Sequence, residues 1–132
     1  MELEFAAYRE ITDKILPFEI DSDKKPITIN WEKTIRAILD DIKDKVSIEL
    51  ISTKFHNTLS EIIIAVARQV NENRVVLSGG CFQNRYLTER TIKHLREEGF
   101  HPYWHQRIPP NDGGISVGQI FAAAKTRRNS IL

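Results

Sequence analysis

Two glycine pairs stand beside the polar side chains best suited to chemistry. Leu77-Ser78-Gly79-Gly80 is followed by Asn84, and Asp112 immediately precedes Gly113-Gly114. Gly79-Gly80 lets the backbone approach a ligand where a Cβ would intrude, and the helix expected after it directs free N–H groups at the same spot. Asn84, at the start of that helix, offers both a donor and an acceptor to a sugar hydroxyl or base edge. Asp112 puts a carboxylate at the mouth of the last expected helix, with two glycines clearing space beside it. A carboxylate and a glycine pair converging at one sheet edge suit a nucleotide phosphate and its cation. Neither loop matches a Walker or dinucleotide-binding fingerprint. On the residues alone, Gly79-Gly80 also reads as a tight turn and Asp112 as a helix N-cap.

The histidines offer less. His101 and His105 have the four-residue spacing that would place two ligands on one helix face. They flank Pro102-Tyr103-Trp104 in an expected strand, however, where four residues span ~13 Å. One metal ion cannot bridge that distance. His56 lies near the apolar face of a long helix and reads as a hydrogen-bonded packing residue. His94, between Lys93 and Arg96, falls on an expected exposed face and suggests no role.

The elements that must position these residues follow from periodicity. The opening Met1-Glu2-Leu3-Glu4-Phe5-Ala6-Ala7-Tyr8 reads as helix without a capping residue, ending before Pro17. Phe18 and Ile20, then Ile27 and Ile29, alternate around Asp21-Ser22-Asp23-Lys24-Lys25 as a hairpin with a polar turn. Asn30 is a fair N-cap for a helix whose apolar face is Trp31, Ile35, Ile38, Leu39 and Ile42. After a break at Asp44-Lys45, Ser47 caps a long helix. Its stripe runs from Leu50 and Ile51 through Phe55, Leu59, Ile62 and Ile63 to Val70, and Asn71-Glu72-Asn73 stops it. Arg74 to Ser78 is a β-branched strand running into the first glycine pair. A helix carrying Tyr86, Leu87, Ile92 and Leu95 ends at Gly99 in the left-handed conformation. Phe100 to His105 is a second strand, and the last helix, Ile115 to Thr126, has Gly118 and Ala122 to Ala124 for close packing. The strand–helix–strand unit has the length of a right-handed parallel crossover. The class is α/β, with helices expected over both faces of a small mixed sheet (hairpin plus parallel strands). Both glycine loops then lie at the carboxyl ends of strands, where open α/β sheets bind ligands.

Composition narrows the partners. The 132 residues are about one domain long, and hydrophobic and charged fractions of 41% and 28% are ordinary for a globular protein. Nineteen basic against 18 acidic residues leave a net charge of +1, which offers no electrostatic case for a nucleic-acid or membrane partner. The run Lys125-Thr126-Arg127-Arg128 is too short to alter that and reads as a solvated terminus. The single cysteine, Cys81, rules out an internal disulfide, so a reducing cytoplasm is the expected location. No apolar stretch approaches the ~20 residues of a bilayer span, and no signal pattern opens the chain.

Leu77-Ser78-Gly79-Gly80-Cys81-Phe82-Gln83-Asn84 resembles the HypF form of a loop shared by carbamoyltransferases of the actin-like ATPase superfamily. The stretch from Pro109-Pro110-Asn111-Asp112-Gly113-Gly114 through Gln119 resembles the matching second motif. Lys54-Phe55-His56-Asn57-Thr58-Leu59, the opening Met1-Glu2-Leu3-Glu4 and Leu16-Pro17-Phe18 also fit HypF, the hydrogenase-maturation carbamoyltransferase family. Together they cover nearly the whole chain in order. The related tRNA threonylcarbamoyl transferases share the Ser-Gly-Gly, but Phe82-Gln83-Asn84 and Asn111-Asp112-Gly113-Gly114 favour HypF. Near-zero net charge also disfavours a tRNA-modifying relative.

The resemblance implies that residues 1–132 form a single domain, the C-terminal lobe of an actin-like, ribonuclease H-like carbamoyltransferase domain and a fragment of a longer chain. In the family, an upstream domain uses ATP to make carbamoyl-adenylate. The actin-like domain delivers the carbamoyl group to the C-terminal cysteine thiol of a partner, HypE, on the way to cyanide at a nickel–iron centre. Carried over, Gly79, Gly80 and Asn84 face the adenosine side of ATP or carbamoyl-adenylate, and Asp112 ligates a divalent metal ion holding the phosphate. The family's other metal ligands, a His-x-x-x-His pair on a helix of the preceding lobe, lie outside this sequence. The acceptor thiol belongs to the partner and the position after the glycine pair is usually apolar, so Cys81 is expected to be a small buried hydrophobe. The chain is expected to fold, to be inactive in carbamoyl transfer on its own, and to form a homodimer through exposed apolar surface. The alternative is a non-catalytic module that uses the same fold to bind a nucleotide or dock a partner.

Overall fold

The computed structural model describes residues 2–23, 26–70 and 72–129. Met1, the turn lysines Lys24 and Lys25, the expected helix stop at Asn71 and the side chains of Arg127 and Arg128 lie outside that description. The order is α1 (Glu2–Ala7), β1 (Glu19–Asp21), β2 (Thr28–Asn30), α2 (Glu32–Lys43), α3 (Ile48–Val70), β3 (Arg74–Leu77), α4 (Arg85–Glu97), β4 (His101–Trp104) and α5 (Ile115–Asn129). Short 3₁₀ turns, Gly80–Gln83 and Asp112–Gly114, precede α4 and α5. The α/β class and the order of elements match the sequence reading. The strands form two separate two-stranded sheets rather than one: β1 pairs antiparallel with β2, and β3 pairs parallel with β4.

The joints follow local chemistry. Ser47 Oγ accepts from Leu50 N at 3.2 Å and so caps α3. Asn30 Oδ1 accepts from Glu32 N at 2.9 Å, satisfying a first-turn donor of α2 from one residue before Trp31. Between α2 and α3, Val46 N reaches Asp41 O at 2.9 Å and Lys45 N reaches Ile42 O at 3.1 Å, which is Schellman pairing. Lys45 takes the left-handed conformation there (φ 57°), where glycine is the usual residue.

The first helix is shorter than its pattern suggested. It ends at Ala7, and the chain then runs as an irregular strap along α3. The reason lies on α3, whose buried residues include Ser52, Thr53, His56, Asn57, Thr58 and Ser60. Asn57 Nδ2 donates to the carbonyls of Thr12 (2.7 Å) and Lys14 (3.0 Å). Thr53 Oγ1 lies 3.1 Å from the carbonyls of both Ala7 and Glu10. Leu16 N donates to Thr58 Oγ1 at 2.7 Å. Side chains of α3 thus replace the backbone partners a helix would have supplied. Most of the apolar stripe read from the sequence lies on the less buried side of α3: Leu50, Ile51, Phe55, Leu59 and Ile63 are half-buried and Val70 is exposed, while Ile62 is buried as expected.

The apolar core is small. Ile64 and Ala67 of α3 meet Leu77 of β3 and Ile92 and Leu95 of α4, with Val75, Phe82, Phe100 and Trp104 packed around them. Gly99 (φ 84°) closes α4, as expected. Helices do not cover both faces of the parallel pair: Val76 and Tyr103 are exposed, because α3 and α4 both lie on the Leu77 side. The expected apolar face of α2 also stays open, with Ile35, Leu39 and Ile42 about half accessible. Despite its small residues, α5 is exposed along its described length, including Ile120 and Phe121. No helix among the described residues is long and apolar enough to cross a membrane.

Candidate functional site

The parallel pairing Leu77↔Trp104 brings the two chain segments out of the sheet side by side. Gly79 N then donates to Pro110 O at 2.8 Å, so the two glycine loops are tied together. Gly79 needs its lack of a Cβ for conformation, with φ at 100°. Gly114 needs it for space, because a Cβ there would stand 2.8 Å from Pro109 O. The result is a groove of about 360 Å³ whose walls include Ser78, Gly79, His105, Asn111, Asp112 and Gly114.

Asn111, not Asp112, caps the 3₁₀ turn that leads into α5, its Oδ1 accepting from Gly113 N at 3.0 Å. The Asp112 carboxylate is exposed and has no hydrogen bond or ion pair among the described residues, which leaves it open to a ligand. Among those residues no three His, Cys, Asp or Glu side chains could together hold a metal ion. The donor set therefore does not make a complete metal centre; it supplies one carboxylate.

Gly80 and Asn84 fall on the other side of the first loop. They line a second groove of about 550 Å³ with Glu4, His56 and Cys81. Asn84 caps α4, its Oδ1 accepting from Leu87 N at 2.9 Å. Its Nδ2 donates to His56 Nε2 at 2.8 Å, and His56 Nδ1 in turn donates to Ser52 O at 2.8 Å. That network assigns His56 as the neutral Nδ1–H tautomer, a buried, hydrogen-bonded packing residue as read from the sequence. Two of the N–H groups expected to be free at the start of α4 are engaged: Arg85 N donates to Glu4 Oε1 at 2.6 Å and Leu87 N to Asn84 Oδ1. A carboxylate of the protein already occupies the positive end of that helix. The four proposed site residues thus share one loop junction but face two adjacent grooves.

Three further sequence expectations change. Cys81 is exposed rather than buried, because the 3₁₀ turn carries it out to the surface. His94 does have a partner, its Nδ1 lying 2.8 Å from Glu61 Oε1 across α3 and α4. His105, considered only as a poor metal partner for His101, joins the first groove through Ser78 Oγ, 3.0 Å from its Nε2. The signal for that contact was the strand register, which places residues 78 and 105 one step beyond the paired Leu77 and Trp104.

Paired loops at the carboxyl ends of parallel strands, with an open carboxylate and glycine-lined walls, define an α/β lobe with its grooves where open α/β sheets bind ligands. A family model described as the carbamoyltransferase, Kae1-like domain, second subdomain, matches residues 1–119. The chain belongs to the HypF carbamoyltransferase family. It is 39% identical over 126 residues to carbamoyltransferase HypF of Synechocystis sp., covering 96% of this chain and 16% of that protein. A probable carbamoyltransferase HypF of Methanocaldococcus jannaschii is 39% identical over 64 residues, 48% of this chain and 8% of that one. Among solved structures, full-length HypF in its phosphate- and nucleotide-bound form superposes with a TM-score of 0.80 at 37% identity, covering 94% of this chain and 20% of that one. HypF of T. kodakarensis shares the fold, with a TM-score of 0.73 at 24% identity over 98% of this chain and 17% of that one.

Proposed function

We propose that residues 1–132 are a single lobe of a HypF carbamoyltransferase and supply one wall of its nucleotide site. The observation that carries this reading is the Gly79 N to Pro110 O bond of 2.8 Å, which sets Gly79 and Asp112, unpaired among the described residues, in one groove. The likeness to a HypF solved with phosphate and nucleotide bound supports it. In this reading the ligand is ATP or carbamoyl-adenylate. Gly79, Gly80 and Asn84 lie toward the adenosine. Asp112 is one ligand of a divalent ion whose other ligands are phosphate oxygens and groups from elsewhere in a complete HypF. Such an ion neutralises phosphate charge and improves AMP as a leaving group.

The whole reaction passes a carbamoyl group from the adenylate to the C-terminal cysteine thiol of a HypE-like acceptor. The chain spans 16% of the length of its Synechocystis relative, and we assign the complete transfer to the complete protein. The isolated chain is expected to be inactive in that transfer. Its exposed apolar faces on α2, α5 and the parallel strands favour self-association as a homodimer. Calorimetric titration with ATP and Mg²⁺, beside Asp112→Ala, tests the site. Metal-dependent binding that the substitution weakens is the expected result. Absence of binding at millimolar nucleotide would remove the half-site from this chain.

A further inference from the structure

The geometry points to Ser78 and His105 as a donor relay directed at the ligand's phosphate, with His105 as its positioning residue. This inference rests on the nucleotide reading above and adds a residue to it. Ser78 Oγ and His105 Nε2 are 3.0 Å apart, and both side chains line the groove that holds Gly79 and Asp112. Both residues are exposed, so a hydrogen bond between them contributes little to folding. No described residue partners His105 Nδ1.

A fully ionised phosphate group presents acceptors only, so its site must present donors. Asp112, the carboxylate in this groove, offers none when ionised. Ser78 and His105 have two protons to place between them, and a bound phosphate selects one arrangement. His105 Nε2–H donates to Ser78 Oγ, and the Ser78 hydroxyl proton then points at a phosphate oxygen. Each donor in such a chain polarises the next. Without the imidazole, the hydroxyl rotates freely and loses that bias. Gly79 is essential to the arrangement, since its positive φ turns the chain immediately after Ser78 and lets the second loop close against it.

The test uses AMP and adenosine as probes of the 132-residue chain, with Ser78→Ala, His105→Ala and His105→Gln. Ser78→Ala is expected to weaken AMP about tenfold, the value of a hydrogen bond to a charged group, His105→Ala by a smaller but measurable factor of about threefold, and both to leave adenosine unchanged. His105→Gln, whose amide can still donate to Ser78 Oγ, is expected to recover most of the loss. Two-bond ¹H–¹⁵N imidazole spectra are expected to report the Nε2–H tautomer of His105 in the AMP complex. Equal weakening of AMP and adenosine, or an Nδ1–H tautomer with AMP bound, would overturn the relay. Wild-type and His105→Ala chains binding AMP equally would overturn the relay alone. A wild-type chain that binds no AMP at millimolar concentration would overturn the nucleotide reading and the relay with it.

Discussion

Replacing Asn57 with leucine tests whether buried polar side chains, rather than the apolar stripe, hold the N-terminal strap to α3. The side chain is fully buried, and leucine keeps its branching with bulkier methyl groups, so the change removes hydrogen bonds without opening a cavity. Three bonds go: Nδ2 to Thr12 O at 2.7 Å, Nδ2 to Lys14 O at 3.0 Å, and Tyr86 Oη to Oδ1 at 3.1 Å. Each contributes about 1 kcal/mol net, and the part-buried partners left behind add a desolvation cost at the low end of about 1–3 kcal/mol. Leucine's gain from burial offsets part of that, so the expected loss is about 3 kcal/mol. A domain of this size is stable by about 5–15 kcal/mol, so the loss is large and measurable. Urea unfolding with linear extrapolation reads it directly. Val70→Ala, on the exposed end of the apolar stripe, serves as the control and is expected to cost less than about 0.5 kcal/mol. A loss below about 1 kcal/mol for Asn57→Leu would refute the reasoning, since water would then satisfy the strap as well as Asn57 does.

The remaining predictions concern charge. Lys54 pairs with Asp41 across α3 and α2, their side chains 13% and 18% accessible, whereas Arg36 and Glu32 pair at 73% and 62%. Lys54→Ala is expected to cost about 2–3 kcal/mol because it strands a largely buried carboxylate. Arg36→Ala is expected to cost less than about 0.5 kcal/mol, and equal losses by urea unfolding would contradict this. Burial pushes the Tyr86 phenol above its ordinary range, with Asp13 adding and Arg90 opposing. Burial raises Tyr8 too, with Glu89 adding. Folding therefore favours the protonated phenols: stability holds below pH ~10 and falls as pH rises through the raised values. Tyr86→Phe is expected to lower stability at neutral pH, through the lost bond to Asn57, and to flatten the alkaline decline. An unchanged slope above pH ~10 would show that Tyr86 does not cause it.

Local chemistry carried much of the fold in the sequence. The β3–α4–β4 unit, the Ser47 cap and the left-handed Gly99 depend on residues close together in the chain, and their periodicity and capping residues were legible. The two glycine loops were legible for the same reason. The end of α1 was not, because residues 8–16 carry nothing against helix; their carbonyls are claimed by Thr53 and Asn57, more than 40 residues away. The burial of the polar side of α3 was not legible because hydrophobicity shows which side chains avoid water but not which polar ones have found partners.

The candidate site divides in the same way. Asp112 and the glycine pairs were readable as residue types beside expected strand ends. Which groove each enters was decided by the Gly79 N to Pro110 O bond and by the register of β3 on β4. The same tertiary contacts engaged Asn84 with His56 and brought His105 to Ser78 across 27 positions, whereas the cap at Asn111 is a local bond to Gly113. The sequence by itself determined the secondary elements and the chemical menu, since propensity and capping act within a few residues. Only tertiary structure decided which polar groups face one another, because a hydrogen bond depends on separation to a few tenths of an ångström, and distant residues reach that separation only in the folded chain.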